Sequence, residues 1–232
     1  MSGRFIVIEG SDGSGKGTQL ELMANKLRQA GYEVAVYDFP QYTQSSSYFA
    51  KEYLNGQYGD VDELGAYGPS LFFSLDRFQA SRSIAKDLAE GKIVLSNRFT
   101  GSNMAHQGQK IHDTAERSRY YQWLHEVEFT HLKIPKPDLN IVLIMPAEYA
   151  QKLVDKKSPH SYTDEQRDIH ENDIDHLRGA VGVYESMCVQ FPEDFTRVDC
   201  VENDSVLAIP IITERIWSSV QDILSQQVTR DA

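Results

Sequence analysis

The residues Gly10-Ser11-Asp12-Gly13-Ser14-Gly15-Lys16 have the types and spacing of a phosphate cradle. The glycines permit positive φ angles and a close approach of main-chain N–H groups to an anion. Lys16 completes the G-x-x-x-x-G-K pattern and would reach β- and γ-phosphate oxygens. Gly17 stands where Ser or Thr usually meets Mg²⁺, and Thr18 follows one place later. The chemistry indicated is binding of a nucleoside triphosphate by Gly10 to Thr18. Asp12 sets a carboxylate among phosphates it should repel unless it meets Mg²⁺ or a hydroxyl of a second substrate. A solvated turn aspartate is the other reading.

Further along, Phe73 and Arg77 lie four apart and would share a helix face. Phe can stack on a flat base and Arg can donate to a carbonyl, although a packed core explains the same spacing. Arg98 follows a β-rich run and could hold a phosphate bidentately or form a surface ion pair. Ser102, Asn103, His106 and Gln107 add hydrogen-bonding groups within two turns of it. Lys156, Lys157 and Arg167 bracket a polar stretch that could close over a triphosphate or simply be solvated. The acidic run from Asp164 to Asp175 reads mostly as a solvated face. His160, His170 and His176 do not form a H-E-x-x-H zinc motif.

These residues need a scaffold. Phe5 to Ile8 reads as a buried strand, and a helix from Lys16 carries Leu20, Met23, Ala24 and Leu27 on one face. Strands are predicted at 33–38, 92–96, 139–145 and 195–199. Helices are predicted at 45–54, over about 62–90 with a fresh start near Gly68-Pro69, and at 113–129 with Asp113 as cap, with a short helix or turn at 100–107. Others fall at 146–153 and 168–190, with a last one at 205–226 capped by Ser205. The stretch 155–167 reads as a mobile loop. Alternating strand and helix implies an α/β fold with a parallel sheet of five strands, as one domain over residues 1–232. Ligands on such a sheet bind beyond the carboxyl ends of its strands. That rule gathers Gly10–Lys16, 38–42 and 97–108 into one crevice.

Composition narrows the partners. The 232 residues carry a formal net charge of −11, with 41% hydrophobic and 25% charged residues. An acidic balance argues against broad binding to nucleic acid or anionic membrane, yet allows an anionic substrate held by a local Arg and Lys cluster. Cys188 and Cys200 are too few for a disulfide framework, so reduced thiols in the cytoplasm are expected. No basic leader with a long apolar run opens the chain, and no run is long enough to span a bilayer.

Taken together, FIVIEGSDGSGKGTQ, DFPQY, LFFSLDRF, NRFTGSNMAHQG, EFTHLKIPKPD and RDIHEND stand in an order that resembles the thymidylate kinase family of P-loop nucleoside monophosphate kinases, over roughly residues 4–191. The resemblance implies a three-layer fold with a lid near 155–168, transfer of phosphate from ATP to dTMP, Mg²⁺ as cofactor, and a homodimer. It implies that Lys16, Arg98, Arg167 and Asp12 carry the catalysis. Asp12 would lie near the acceptor sugar and the metal. Phe39 and Tyr42 would line the acceptor pocket. Phe73 would stack on thymine, Arg77 would bond its carbonyl, Asn103 would bond the base, and Ser102, His106 and Gln107 would lie close by. Asp168 and Glu171 match acidic positions after the lid. Asn97 stands where the family usually has Asp, and His106 and His170 stand where it often has Tyr. Another acceptor (dUMP, another monophosphate, a deoxynucleoside) and a non-catalytic nucleotide-binding module are the competing readings.

Overall fold

The computed structural model describes residues 3–59, 64–154 and 174–230. Lys156, Lys157, Arg167, Asp168, Glu171 and the expected lid lie outside these residues.

Five parallel strands form the sheet: β1 Arg4–Gly10, β2 Val34–Asp38, β3 Ile93–Asn97, β4 Leu139–Ile144 and β5 Phe195–Asp199, in the order β2-β3-β1-β4-β5. β1 is central and buried on both faces, which its unbroken apolar run requires. Its alternate residues serve two layers. Ile6 and Ile8 pack with Leu20, Met23 and Leu27 of helix α1 (Lys16–Gln29) and with Ile212, Ile216 and Val220 of α8 (Ile209–Arg230). Phe5 and Val7 face the other way, onto Ala80 and Ile84 of α3 (Tyr67–Ala89) and onto Phe39 and Phe99. Burying each such side chain is worth about 1.5–3 kcal/mol, so the central strand is firmly placed.

The remaining helices are α2 Tyr48–Leu54, α4 Thr100–His106, α5 Thr114–His125, α6 Ala147–Val154 and α7 Ile174–Gln190. Asp113 caps α5 as expected, accepting from the Glu116 amide at 2.7 Å. The helical reading past His125 needs correction, because Glu126–His131 winds as a π-helical turn. The closing helix also starts later than predicted. Ser205 is not its cap but belongs to a small hairpin, β6 Val201–Glu202 with β7 Ser205–Val206. Asn203 and Asp204, at φ 48° and 55°, make its turn, an Asn-Asp pair tolerating the left-handed region. From β1 the chain passes out to the edge strand β2, returns to β3 beside β1, and then crosses to β4 on the other side of β1, so the crevice flanks the carboxyl end of β1.

Candidate active site

The phosphate loop occupies that crevice. Gly15, at φ 88°, precedes α1, whose first turn has neither a side-chain cap nor an acidic residue. Its N-terminal amides are thus oriented toward an anion. The buried hydroxyls of Ser11 and Ser14 have no hydrogen-bond partner among the described residues. Lys16 is 6% exposed and folds back, its Nζ donating to the Ser11 carbonyl at 2.7 Å and lying 4.0 Å from Asp12. Gly13 is required by a neighbour: a Cβ there would sit 2.1 Å from the Ala150 carbonyl oxygen of α6, at φ +79°.

Arg98 follows β3 in the left-handed region, at φ 63°, an uncommon state for a non-glycine residue. Three bonds hold it there. Its amide donates to Ile8, its carbonyl accepts from Ser96 Oγ, and the next amide, of Phe99, donates to Glu9. The guanidinium Nη2 donates to Asp12, and Nη1 donates to Ser102 Oγ at 3.2 Å and His106 Nε2 at 3.1 Å. Burial alone would disfavour this cation, but the fields of Asp12, Tyr184, Glu9 and Tyr42 outweigh it and raise its pKa. Since arginine can only donate, His106 Nε2 accepts from it, and His106 Nδ1 lies 3.3 Å from His176 Nε2.

Beyond Arg98 opens a cleft of about 590 Å³, counting the open space at its mouth. Asp12, Phe39, Tyr42, Phe73, Arg77, Arg98, Ser102, Asn103, His106 and Gln107 all line it. Thus the acceptor-side residues singled out in the sequence converge on one space, joined to the phosphate loop through Asp12. Arg77 Nε and Nη2 both bond Glu128, leaving Nη1 for the cleft. The Asn103 side-chain amide donates to the Ser70 carbonyl at 3.0 Å, so its Oδ1 remains as an acceptor. Gln107 accepts a long contact from Tyr53 Oη at 3.4 Å.

Sequence reasoning missed three carboxylates here. Glu9, fully buried, accepts from Phe99 N, Ser102 N, Ser102 Oγ and Tyr184 Oη. Gly101 lets it approach, since a Cβ there would lie 2.8 Å from Glu9 Oε1. Burial, then Glu9, hold the Tyr184 phenol well above its ordinary pKa, so it stays a donor. Asp76 accepts from the Gln41 amide at 2.7 Å and from Ser46 Oγ, tying down the loop after the cis Phe39-Pro40 bond. Glu128 anchors Arg77. The available signal was a charged residue inside an apolar run or in register with a buried helix face, as Glu128 is with Tyr120 and Leu124.

Oxygen donors suit Mg²⁺. Asn97 Nδ2 donates to Asp38 at 2.7 Å, while its buried Oδ1 has no hydrogen-bond partner among the described residues. That oxygen and the Asp12 carboxylate fit a hard cation, though no cluster of three or more His, Cys, Asp or Glu capable of holding a metal occurs among the described residues.

A phosphate loop that meets a base-sized cleft across one carboxylate–guanidinium contact is the arrangement of a P-loop nucleoside monophosphate kinase. The family model described as thymidylate kinase matches residues 8–181. A thymidylate kinase of Mycobacterium tuberculosis is 33% identical over 188 residues, covering 80% of this chain and 86% of that protein. One of Exiguobacterium sibiricum is 37% identical over 120 residues, 51% of this chain and 55% of its own length. The chain belongs to the thymidylate kinase family. A solved structure of thymidylate kinase from Candida albicans shares the fold at a TM-score of 0.70 and 20% identity, over 95% of this chain and 92% of that one.

Proposed function

We propose that this chain, as one domain, transfers the γ-phosphate of ATP to the 5′-phosphate of dTMP, giving ADP and dTDP. The observation that carries this reading is the Asp12–Arg98 contact, which joins a phosphate cradle to a cleft offering one donor and one acceptor to a base. A 4-carbonyl, 3-NH pyrimidine is complementary to Arg77 Nη1 and Asn103 Oδ1.

The nucleophile is a phosphate oxygen, already anionic at neutral pH, so no general base is required. Catalysis is then positioning and charge neutralisation. Lys16 and the loop amides hold the donor phosphates. Arg98 clamps the acceptor phosphate, exchanging part of its contact with Asp12 for it. Phe73 stacks on the base, and Phe39, Tyr42, Ser102, His106 and Gln107 shape the cleft. Arg167, outside the described residues, is proposed as the lid arginine. Mg²⁺, bound with ATP, supplies charge neutralisation at the phosphates, and Asp12 and Asn97 would hold it directly or through water. We further propose a homodimer working in the cytoplasm. No helix among the described residues is long and apolar enough to cross a membrane.

The test is ADP release across dTMP, dUMP, UMP, CMP, GMP and AMP, with and without Mg²⁺. The expected result is Mg²⁺-dependent turnover with dTMP preferred. Turnover in Lys16→Ala should fall by at least about 100-fold, the scale of removing an oriented charge from a phosphoryl-transfer site. A different preferred acceptor, or binding of ATP and dTMP without dTDP formation, would overturn the reading.

A further inference from the structure

We infer that Glu128 is a positioning residue for base selection: it holds Arg77 so that only Nη1 faces the cleft, fixing the preference for a 4-carbonyl over a 4-amino pyrimidine. This rests on the function proposed above. Glu128 is fully buried and Arg77 is 2% exposed. The carboxylate accepts Arg77 Nε at 2.9 Å, Arg77 Nη2 at 2.5 Å, Ser74 Oγ at 2.7 Å and Thr100 Oγ1 at 2.6 Å. Four donors saturate its lone pairs and come from two different helices, so it cannot rotate without breaking bonds to both. The π-helical turn at Glu126–His131 brings it there, and its own carbonyl accepts from Ile134 N at 2.9 Å.

The consequence for Arg77 is geometric. A free guanidinium can turn whichever edge a ligand prefers, or swing away from one it cannot satisfy. Here Nε and Nη2 are committed, Nη1 has only a long contact to the Phe99 carbonyl at 3.5 Å, and the plane lies near the Phe99 ring. Nη1 therefore meets the base as a fixed donor. A 4-carbonyl accepts from it. A 4-amino group sets donor against donor, and the guanidinium has no low-cost retreat.

Wild type, Glu128→Gln, Thr100→Val, Arg77→Met and the double variant Arg77→Met/Glu128→Gln are compared by kcat and KM with dTMP, dUMP and dCMP, alongside thermal melting. In Glu128→Gln, KM for dTMP and dUMP should rise together by about tenfold with kcat nearly kept, while dCMP kinetics hardly change, as loss of a charge-assisted contact predicts. The kcat/KM ratio of dTMP to dCMP then falls about tenfold. Thr100→Val, which removes one of the four donors, should move that ratio the same way by about threefold and decides the matter if Glu128→Gln does not fold. In the Arg77→Met background Glu128→Gln should change nothing further. A purely structural role lowers the active fraction for all substrates alike and leaves the ratio untouched. An unmoved ratio, or an equal fall without Arg77, overturns the assignment alone. A wild type inactive on dTMP overturns the proposed function and this assignment with it.

Discussion

Around the cleft, buried carboxylates set the aim of the arginines proposed to meet the substrate. Glu9 is the plainest instance. All four of its partners are donors, so it suits an ionised carboxylate and not an amide. Glu9→Gln would place an NH₂ group against N–H and O–H donors inside the protein, at a cost of about 1–3 kcal/mol. Because Glu9 helps hold the left-handed Arg98 backbone, the loss should reach the acceptor site. We expect a lower melting temperature together with a KM for the monophosphate raised several-fold, about 0.6–1.2 kcal/mol, while KM for ATP changes little. Steady-state kinetics and melting curves check this; equal rises in both KM values would show that Glu9 serves the fold and not Arg98. Asp12, by contrast, touches Arg98 directly, and its replacement should affect both substrates.

At the scale of elements, two glycines one turn apart behave oppositely. A Cβ on Gly13 would lie 2.1 Å from the Ala150 carbonyl oxygen of α6, at φ +79°, so Gly13→Ala must shift α6 and strain the loop. Gly17 is exposed within α1, with nothing within 4 Å of a built Cβ. Gly17→Ala should stabilise the helix by about 0.5–1 kcal/mol, and Gly13→Ala should destabilise by more than that. Denaturant unfolding of both variants gives the comparison; a stability gain in Gly13→Ala would contradict the contact. The same elements show what the sequence made legible. β1, the glycine loop and α1 could be read because local periodicity and turn chemistry agree there. The inner strands β1, β3 and β4 were recoverable as near-continuous buried runs, while the edge strands β2 and β5 carry polar residues and were legible only from their β-branched and aromatic content. The hairpin before α8 escaped because two-residue strands carry no period, although Asn203-Asp204 was a turn signal. The π-helical turn escaped because one extra residue per turn leaves no mark on composition. Glu128 and Glu9 were overlooked for a shared reason: a lone charge reads as exposed until its donors, scattered through the chain, are brought to it.

For the whole molecule, burial of two thiols gives stability a defined pH dependence. Burial raises the Cys188 thiol to about 11 and Cys200 to about 12. In the unfolded chain both ionise near 8.5, so above that pH the unfolded state releases protons the folded state keeps, and stability falls as pH rises. For fully buried Cys200 the slope approaches about 1.4 kcal/mol per pH unit, and Cys200→Ala should flatten it between pH 8.5 and 10 in denaturant titrations. The molecule also exposes an apolar stripe on α3: Leu71, Leu75 and Phe78, at 40%, 46% and 46% exposure, with Tyr67 at 39% beside them. Those positions recur at i, i+4 and i+7, one helical face. The adjoining face of the same helix, one residue earlier at each step, carries Ser70, Ser74 and Arg77 into the interior. A two-fold dimer needs a self-complementary patch, and a straight apolar ridge laid against its own copy is one. The −11 net charge would oppose association elsewhere on the surface but has no member on this ridge. The wild type is therefore expected to sediment as a dimer in sedimentation velocity, and Leu75→Glu/Phe78→Glu as a monomer. Because α3 presents Phe73 and Arg77 to the cleft, freeing its outer face should raise KM for the acceptor more than KM for ATP. A wild type that is monomeric at micromolar concentration, or a double variant that remains dimeric, would remove α3 from the interface.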